Sequence, residues 1–146
     1  MAVINRHALV PYEASKMFDL VNDIASYPSF LPWCTGATVH EQTEDEIKAT
    51  LVLSWGGMEK SFTTHNRLQK NKMIEMRLIE GPFSHLEGFW RFENIDDTGT
   101  KVQFDMDFEF SSKILSFAFG PIFTQVTGNL VDSFCKRADE LYASQS

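Results

Sequence analysis

The residue types that most often carry catalysis are present in this chain, but not at catalytic spacing. The four histidines, His7, His40, His65 and His85, form neither an HxH nor an HExxH pattern, the spacings that bring two imidazoles to one metal ion. Cys34 lies among aromatic residues and prolines, with no neighbouring histidine. A nucleophilic thiolate needs an electropositive site, so a packed, unreactive thiol is expected. Ser54 and Ser84 sit in no nucleophile-elbow motif. Gly56-Gly57 reads as a hairpin turn and not as a phosphate cradle. The acidic row Asp105, Asp107 and Glu109 alternates with Phe104, Met106, Phe108 and Phe110, which makes it the wet face of a strand. The expectation is a protein without a metal site, without a covalent cofactor and without catalysis of its own.

Aromatic mass remains. Thirteen Phe and three Trp imply a large apolar interior. Trp90, Phe92, Phe104, Met106 and Phe108 are expected to face inward from a sheet. Phe117, Phe123, Val126 and Leu130 are expected to face inward from a helix, with Phe30, Trp33, Phe83 and Leu86 completing the set. Such stripes either fill a solid core or line a cavity. A strongly curved sheet and one helix diverge at one end, which favours the cavity. The chemistry of that cavity is binding. Each methylene of an apolar guest buried there contributes about 0.8 kcal/mol before the costs of association.

The elements that must position these side chains follow from periodicity. Val3 to Val10 reads as a strand stopped by Pro11. Ala14, Met17, Phe18 and Val21 mark one face of a short helix, and a second turn covers Ile24 to Tyr27. Strands are expected at Ala37–Gln42, Ile47–Leu53, Lys60–Leu68, Met73–Ile79, His85–Glu93 and Val102–Phe110, with a hairpin loop at Asp96-Asp97-Thr98-Gly99. The last strand alternates without exception, so it lies in an antiparallel sheet covered on one side. Ser111-Ser112 caps a final helix from Lys113 to Ala143, kinked or broken at Gly120-Pro121. Strands and helices in separate blocks give an α+β fold. A curved seven-stranded antiparallel sheet wraps a long C-terminal helix, with two short helices after the first strand, in one domain over 1–146.

The net charge of −7 argues against nonspecific binding to DNA or RNA. Lys60, Arg67, Lys70, Lys72 and Arg77 either form a local basic patch or are ordinary hairpin charges. Cys34 and Cys135 are far apart and imply no disulfide framework. The first residues hold no apolar core of a secretory signal, and no apolar run approaches membrane-spanning length. A cytoplasmic protein is expected. Pro28 and Pro32 frame Phe30 and Leu31. A loop this rigid and apolar either forms a pocket lip that touches a membrane or staples the short helices to the sheet.

Two stretches carry a resemblance. Tyr27-Pro28-Ser29-Phe30-Leu31-Pro32-Trp33-Cys34 and Gly81 to Phe92 resemble the signature segments of the coenzyme Q-binding and ribosome-association toxin family of the START-like, polyketide cyclase-like superfamily. Val131 to Ala138 is similar to that family's C-terminal helix. The resemblance implies the helix-grip fold and binding of ubiquinone or a related isoprenoid lipid in support of respiration. It implies, as an alternative, a toxin that binds the large ribosomal subunit and blocks subunit joining, and, from the wider superfamily, a cyclase-like enzyme. A quinone head carries two carbonyl oxygens, for which Trp33, Trp90, Arg91, Lys60 and His85 are the donors at hand.

Overall fold

A computed structural model of the chain describes residues 2–97 and 99–143. Seven strands form one antiparallel sheet: β1 (Ala2–Val10), β2 (Cys34–Gln42), β3 (Glu46–Trp55), β4 (Met58–Gln69), β5 (Met73–Glu80), β6 (Phe83–Asn94) and β7 (Thr100–Phe110). Their spatial order is β1-β7-β6-β5-β4-β3-β2. All but β1 follow as hairpins, and β1 closes the far edge against β7. Between β1 and β2 lie α1 (Ala14–Asn22) and a 3-10 helix, Ile24–Ser29, that runs through Pro28. Two helices follow the sheet, α2 (Lys113–Gly128) and α3 (Leu130–Tyr142). This is the expected helix-grip arrangement. Thr98, part of the predicted hairpin loop, lies outside the described residues, as does the segment after Ala143.

The alternation that defined β7 decides which way the sheet faces. Val102, Phe104, Met106, Phe108 and Phe110 are all buried, while Asp105 and Asp107 meet partners on the opposite face. The register continues this concave surface from strand to strand. One row runs Ile47, Asn66, Met76, Gly88, Met106, Ile4 across six strands. Leu68, Ile74, Trp90 and Phe104 form the next. The β3–β4 turn is made by Gly56 and Gly57, both at positive φ, as a tight hairpin requires.

The C-terminal helix departs from expectation in two ways. Ser112 caps it, its hydroxyl accepting from the Leu115 N–H at 3.1 Å. Pro121, however, lies inside α2 and does not end it. The break falls at Asn129, where α2 and α3 meet at a 42° bend. There the Thr127 hydroxyl donates back to the Phe123 carbonyl at 2.8 Å, a bond that bends helices. Gly128 follows, with the low helix propensity of glycine. The second correction concerns Phe117, expected to face inward but 88% exposed. Ile114, Leu115, Phe117, Phe119, Ile122 and Phe123 make α2 apolar almost all round. At 100° per residue, a face centred on Phe119 and Phe123 turns Phe117 outward.

Candidate functional site

Two apolar cavities lie between the concave sheet and α2. The inner one is bounded by Ala49, Leu51 and Phe62 on β3 and β4, by Leu86, Trp90 and Met106 on β6 and β7, and by Val126, Leu130 and Phe134 on the helices. Its cavity volume is about 60 Å³. The outer cavity, about 30 Å³, lies between the β3–β4 hairpin, Pro82-Phe83 and α2. Trp33, Leu53, Phe123 and Val126 border both. The two are therefore adjoining apolar chambers that share these side chains as walls, with Trp55 and Met58, each 41% exposed, at the rim of the outer one. Lys60 also stands there, its ammonium 5.7 Å from the Phe119 ring centroid.

Seven of the expected lining residues come together at the inner chamber: Trp33, Leu86, Trp90, Met106, Phe123, Val126 and Leu130. Phe83 borders the outer one. Four others are packed into solid core instead. Phe30 meets the edges of Tyr27 and Phe134. Phe92 packs on Phe18, Phe104 lies against Trp90 at 4.5 Å between centroids, and Phe108 is wedged among Phe83, Phe110 and Phe123. Edge-to-face contacts of this kind add about 0.5–1.5 kcal/mol each beyond burial. Phe117 touches neither chamber.

The inner chamber also has a polar side that the apolar stripes do not announce. Its polar lining consists of Thr64, Asn66 and Thr127, all buried. Thr64 and Asn66 occupy alternate positions on β4 and so share its concave face. The Thr64 hydroxyl donates to Asn66 Oδ1 at 3.0 Å. The signal was available, because Phe62, Thr64, Asn66 and Leu68 alternate. Two polar residues on the inward face made the strand look merely polar. Two of the expected head-group donors point elsewhere. Arg91 Nη1 bonds Asp105 at 3.3 Å, and His85 Nε2 meets Asp107 at 2.5 Å, both on the convex face.

The convex face carries the charges. Asp105 also accepts from Asn5 and Gln103. His85, Glu87 and Asp107 bring donor atoms within 4.8 Å of one another, but Glu87 also faces Arg77 at 3.7 Å. Arg77 is bonded to Glu75 at 2.8 Å, Arg67 pairs in register with Glu46 and Glu75, and Lys60 is on the opposite face. Cys34 is buried, and burial raises its thiol above the ordinary range. Cys135 is pushed up to about 11, first by burial and then by Asp132 and Asp139. Both thiols are protonated at neutral pH, as a packed cysteine should be.

A sheet that grips a helix around apolar chambers defines a class of pocket-bearing domain that accepts greasy ligands. Residues 10–135 match the family described as polyketide cyclase / dehydrase and lipid transport. The ribosome association toxin RatA of Escherichia coli K12 is 43% identical over 99% of this chain and 92% of its own length. The mitochondrial coenzyme Q-binding protein COQ10 of Dictyostelium discoideum is 24% identical over 92% of this chain and 68% of its own. Among solved structures, an 18 kDa protein of Caulobacter crescentus is 28% identical with a TM-score of 0.75, covering 98% of this chain and 99% of that one. The Zhui aromatase/cyclase of Streptomyces sp. R1128 superposes with a TM-score of 0.79 at 14% identity, covering 98% and 97%, a likeness of fold alone. The chain belongs to the polyketide cyclase / dehydrase and lipid transport family, in the branch that holds the ribosome association toxin RatA and the coenzyme Q-binding proteins.

Proposed function

We propose that this protein is a non-enzymatic container for an isoprenoid quinone of the ubiquinone class, acting in the cytoplasm and at the inner membrane surface in support of respiration. The observation that carries this reading is the pair of adjoining apolar chambers between sheet and helix, which share Trp33, Leu53, Phe123 and Val126. The inner chamber as it stands, about 60 Å³, is well below the roughly 300–1,000 Å³ common for small-molecule sites, so a quinone ring enters by displacing side chains. Met76 and Met106, both bordering the inner chamber, are flexible enough to give way. Trp55 and Met58 at the rim suit a peripheral contact with lipid, where an indole sits at the interface. The coenzyme Q-binding name of the Dictyostelium relative supports the quinone class. No single described helix is long and apolar enough to cross a membrane. The test is direct: organic extracts of protein purified without detergent, analysed by mass spectrometry, should contain an isoprenoid quinone, and stripped protein should reload with one. Failure of both overturns the reading.

A second reading has its own support. The relative named as a ribosome association toxin is 43% identical over almost the whole chain, and association with the large ribosomal subunit would use the outer surface, leaving the pocket free. With −7 net charge and with Arg77 and Arg91 on the convex face paired with carboxylates, such association would rest on protein contacts more than on phosphate neutralisation. Cosedimentation with large subunits should then fall only weakly as salt rises, where an RNA-driven contact falls steeply. Absence of cosedimentation at low salt removes this reading.

A further inference from the structure

One buried polar group of the inner chamber has hydrogen-bonding capacity that the protein does not use. Asn66 is 4% exposed and borders the inner chamber. Its side-chain oxygen accepts from Thr64, and among the described residues its amide nitrogen has no acceptor. An amide nitrogen carries two N–H donors. Turning the amide over does not remove the surplus. Its N–H would then donate to the Thr64 oxygen, and the Thr64 O–H would be released instead. In either orientation a donor faces the chamber. The Trp90 indole N–H, two strands away on the same concave wall, likewise has no protein acceptor among the described residues. Neither nitrogen is sealed in the core, where the unmet side-chain atoms among the described residues are Asn22 Oδ1 and Asn71 Oδ1, and a strand needs no polar pair at these positions in order to fold.

We propose that Asn66 and Thr64 form a head-group site in the inner chamber, so that the ligand enters head first. A carbonyl oxygen of the head accepts from the Asn66 amide, and the apolar tail runs outward past Phe123 and Val126 to the rim. This inference rests on the quinone-container reading and adds the orientation and the recognition chemistry: the buried end of the ligand is a hydrogen-bond acceptor. The opposite orientation would press hydrocarbon against an unmet amide at the inner end. It would leave the carbonyls at the rim, where water already serves them and Lys60 is the nearby cation.

The experiment uses the full chain, stripped of lipid, with two probes of equal tail length: decylubiquinone and decylbenzene. Binding is read by displacement of a fluorescent fatty-acid analogue. Asn66→Leu should weaken decylubiquinone by about tenfold, roughly the net contribution of one hydrogen bond. It should weaken decylbenzene little or not at all. Thr64→Val, a milder change, should act in the same direction. A direct readout is the infrared carbonyl stretch of bound decylubiquinone, which should shift to lower frequency in the native protein and lose that shift in Asn66→Leu. Equal weakening of both probes, an unshifted carbonyl band in the native protein, or a loss produced by Lys60→Ala instead each overturns the head-first site while leaving the container reading standing. Binding of neither probe by the native protein overturns both.

Discussion

Val126→Phe should abolish quinone uptake while the domain stays folded. Val126 stands on α2, is 6% exposed, and borders both chambers. With Phe123, Leu53 and Trp33 it forms the wall they share. A phenyl ring at this position projects into space that no atom fills, so it fills the chambers before it strains the packed core. Overfilling a well-packed site costs about 1–3 kcal/mol; here the cost should sit at the low end, because the chambers have room. Uptake of decylubiquinone should fall by about a hundredfold, equivalent to roughly 2.8 kcal/mol. The comparison is Phe117→Ala, which removes a ring that is 88% exposed on the far side of the same helix. That change should leave uptake as it was and stability within about 0.5 kcal/mol. Titrations followed by displacement of a fluorescent lipid, with thermal melts of each variant, make the measurement. Native-like uptake by a folded Val126→Phe protein would mean that the ligand does not use these chambers.

The contrast between Val126 and Phe117 also shows what the sequence could and could not specify. β7 is fully legible because Val102 to Phe110 alternate with polar residues, and a period of two has only one assignment of faces. The capped start at Ser112 is legible because a hydroxyl before an apolar run has a defined partner, the Leu115 N–H. α2 is different. A helix apolar on nearly every side contains no information about which side is inside. That choice is made by the sheet, which presents Phe62, Phe83 and Phe108 to Phe123. The position of the helix break is similar: Pro121 is the stronger local signal, yet the chain bends at Asn129, next to Thr127 and Gly128. The lining was about half legible for a related reason. Hydrophobicity separates inside from outside, but it does not separate Phe104, pressed against Trp90, from Trp90, which borders open space. Asn66 and Thr64 were overlooked because a polar residue on an inward face breaks the very pattern used to find that face.

Phe134→Ala should be the most damaging single truncation in the helical layer. Phe134 is 1% exposed on α3, and its ring lies 5.3 Å from Tyr27, 5.5 Å from Phe30 and 5.2 Å from Trp90 by centroids. It thus joins three separate parts of the chain: the 3-10 helix, the loop at Pro28–Pro32, and the middle of β6. Tyr27 is itself fixed, its hydroxyl donating to the Val21 carbonyl, so the ring cluster cannot simply collapse into the vacated space. A buried Phe→Ala change costs about 3–5 kcal/mol when the site does not relax, and for a domain of this size that corresponds to a fall in Tm of roughly 10 °C or more. Urea unfolding of the stripped protein measures it. The location of Phe134 adds a second expectation. Its ring is a wall of the inner chamber, so its removal enlarges the chamber as it weakens the fold. A small apolar ligand such as benzene, which fills dry engineered cavities, should therefore raise the Tm of the variant by more than it raises that of the native protein, through preferential binding to the folded state. A loss below about 1 kcal/mol would show that the cluster repacks, and an equal response to benzene in both proteins would separate Phe134 from the chamber it now walls.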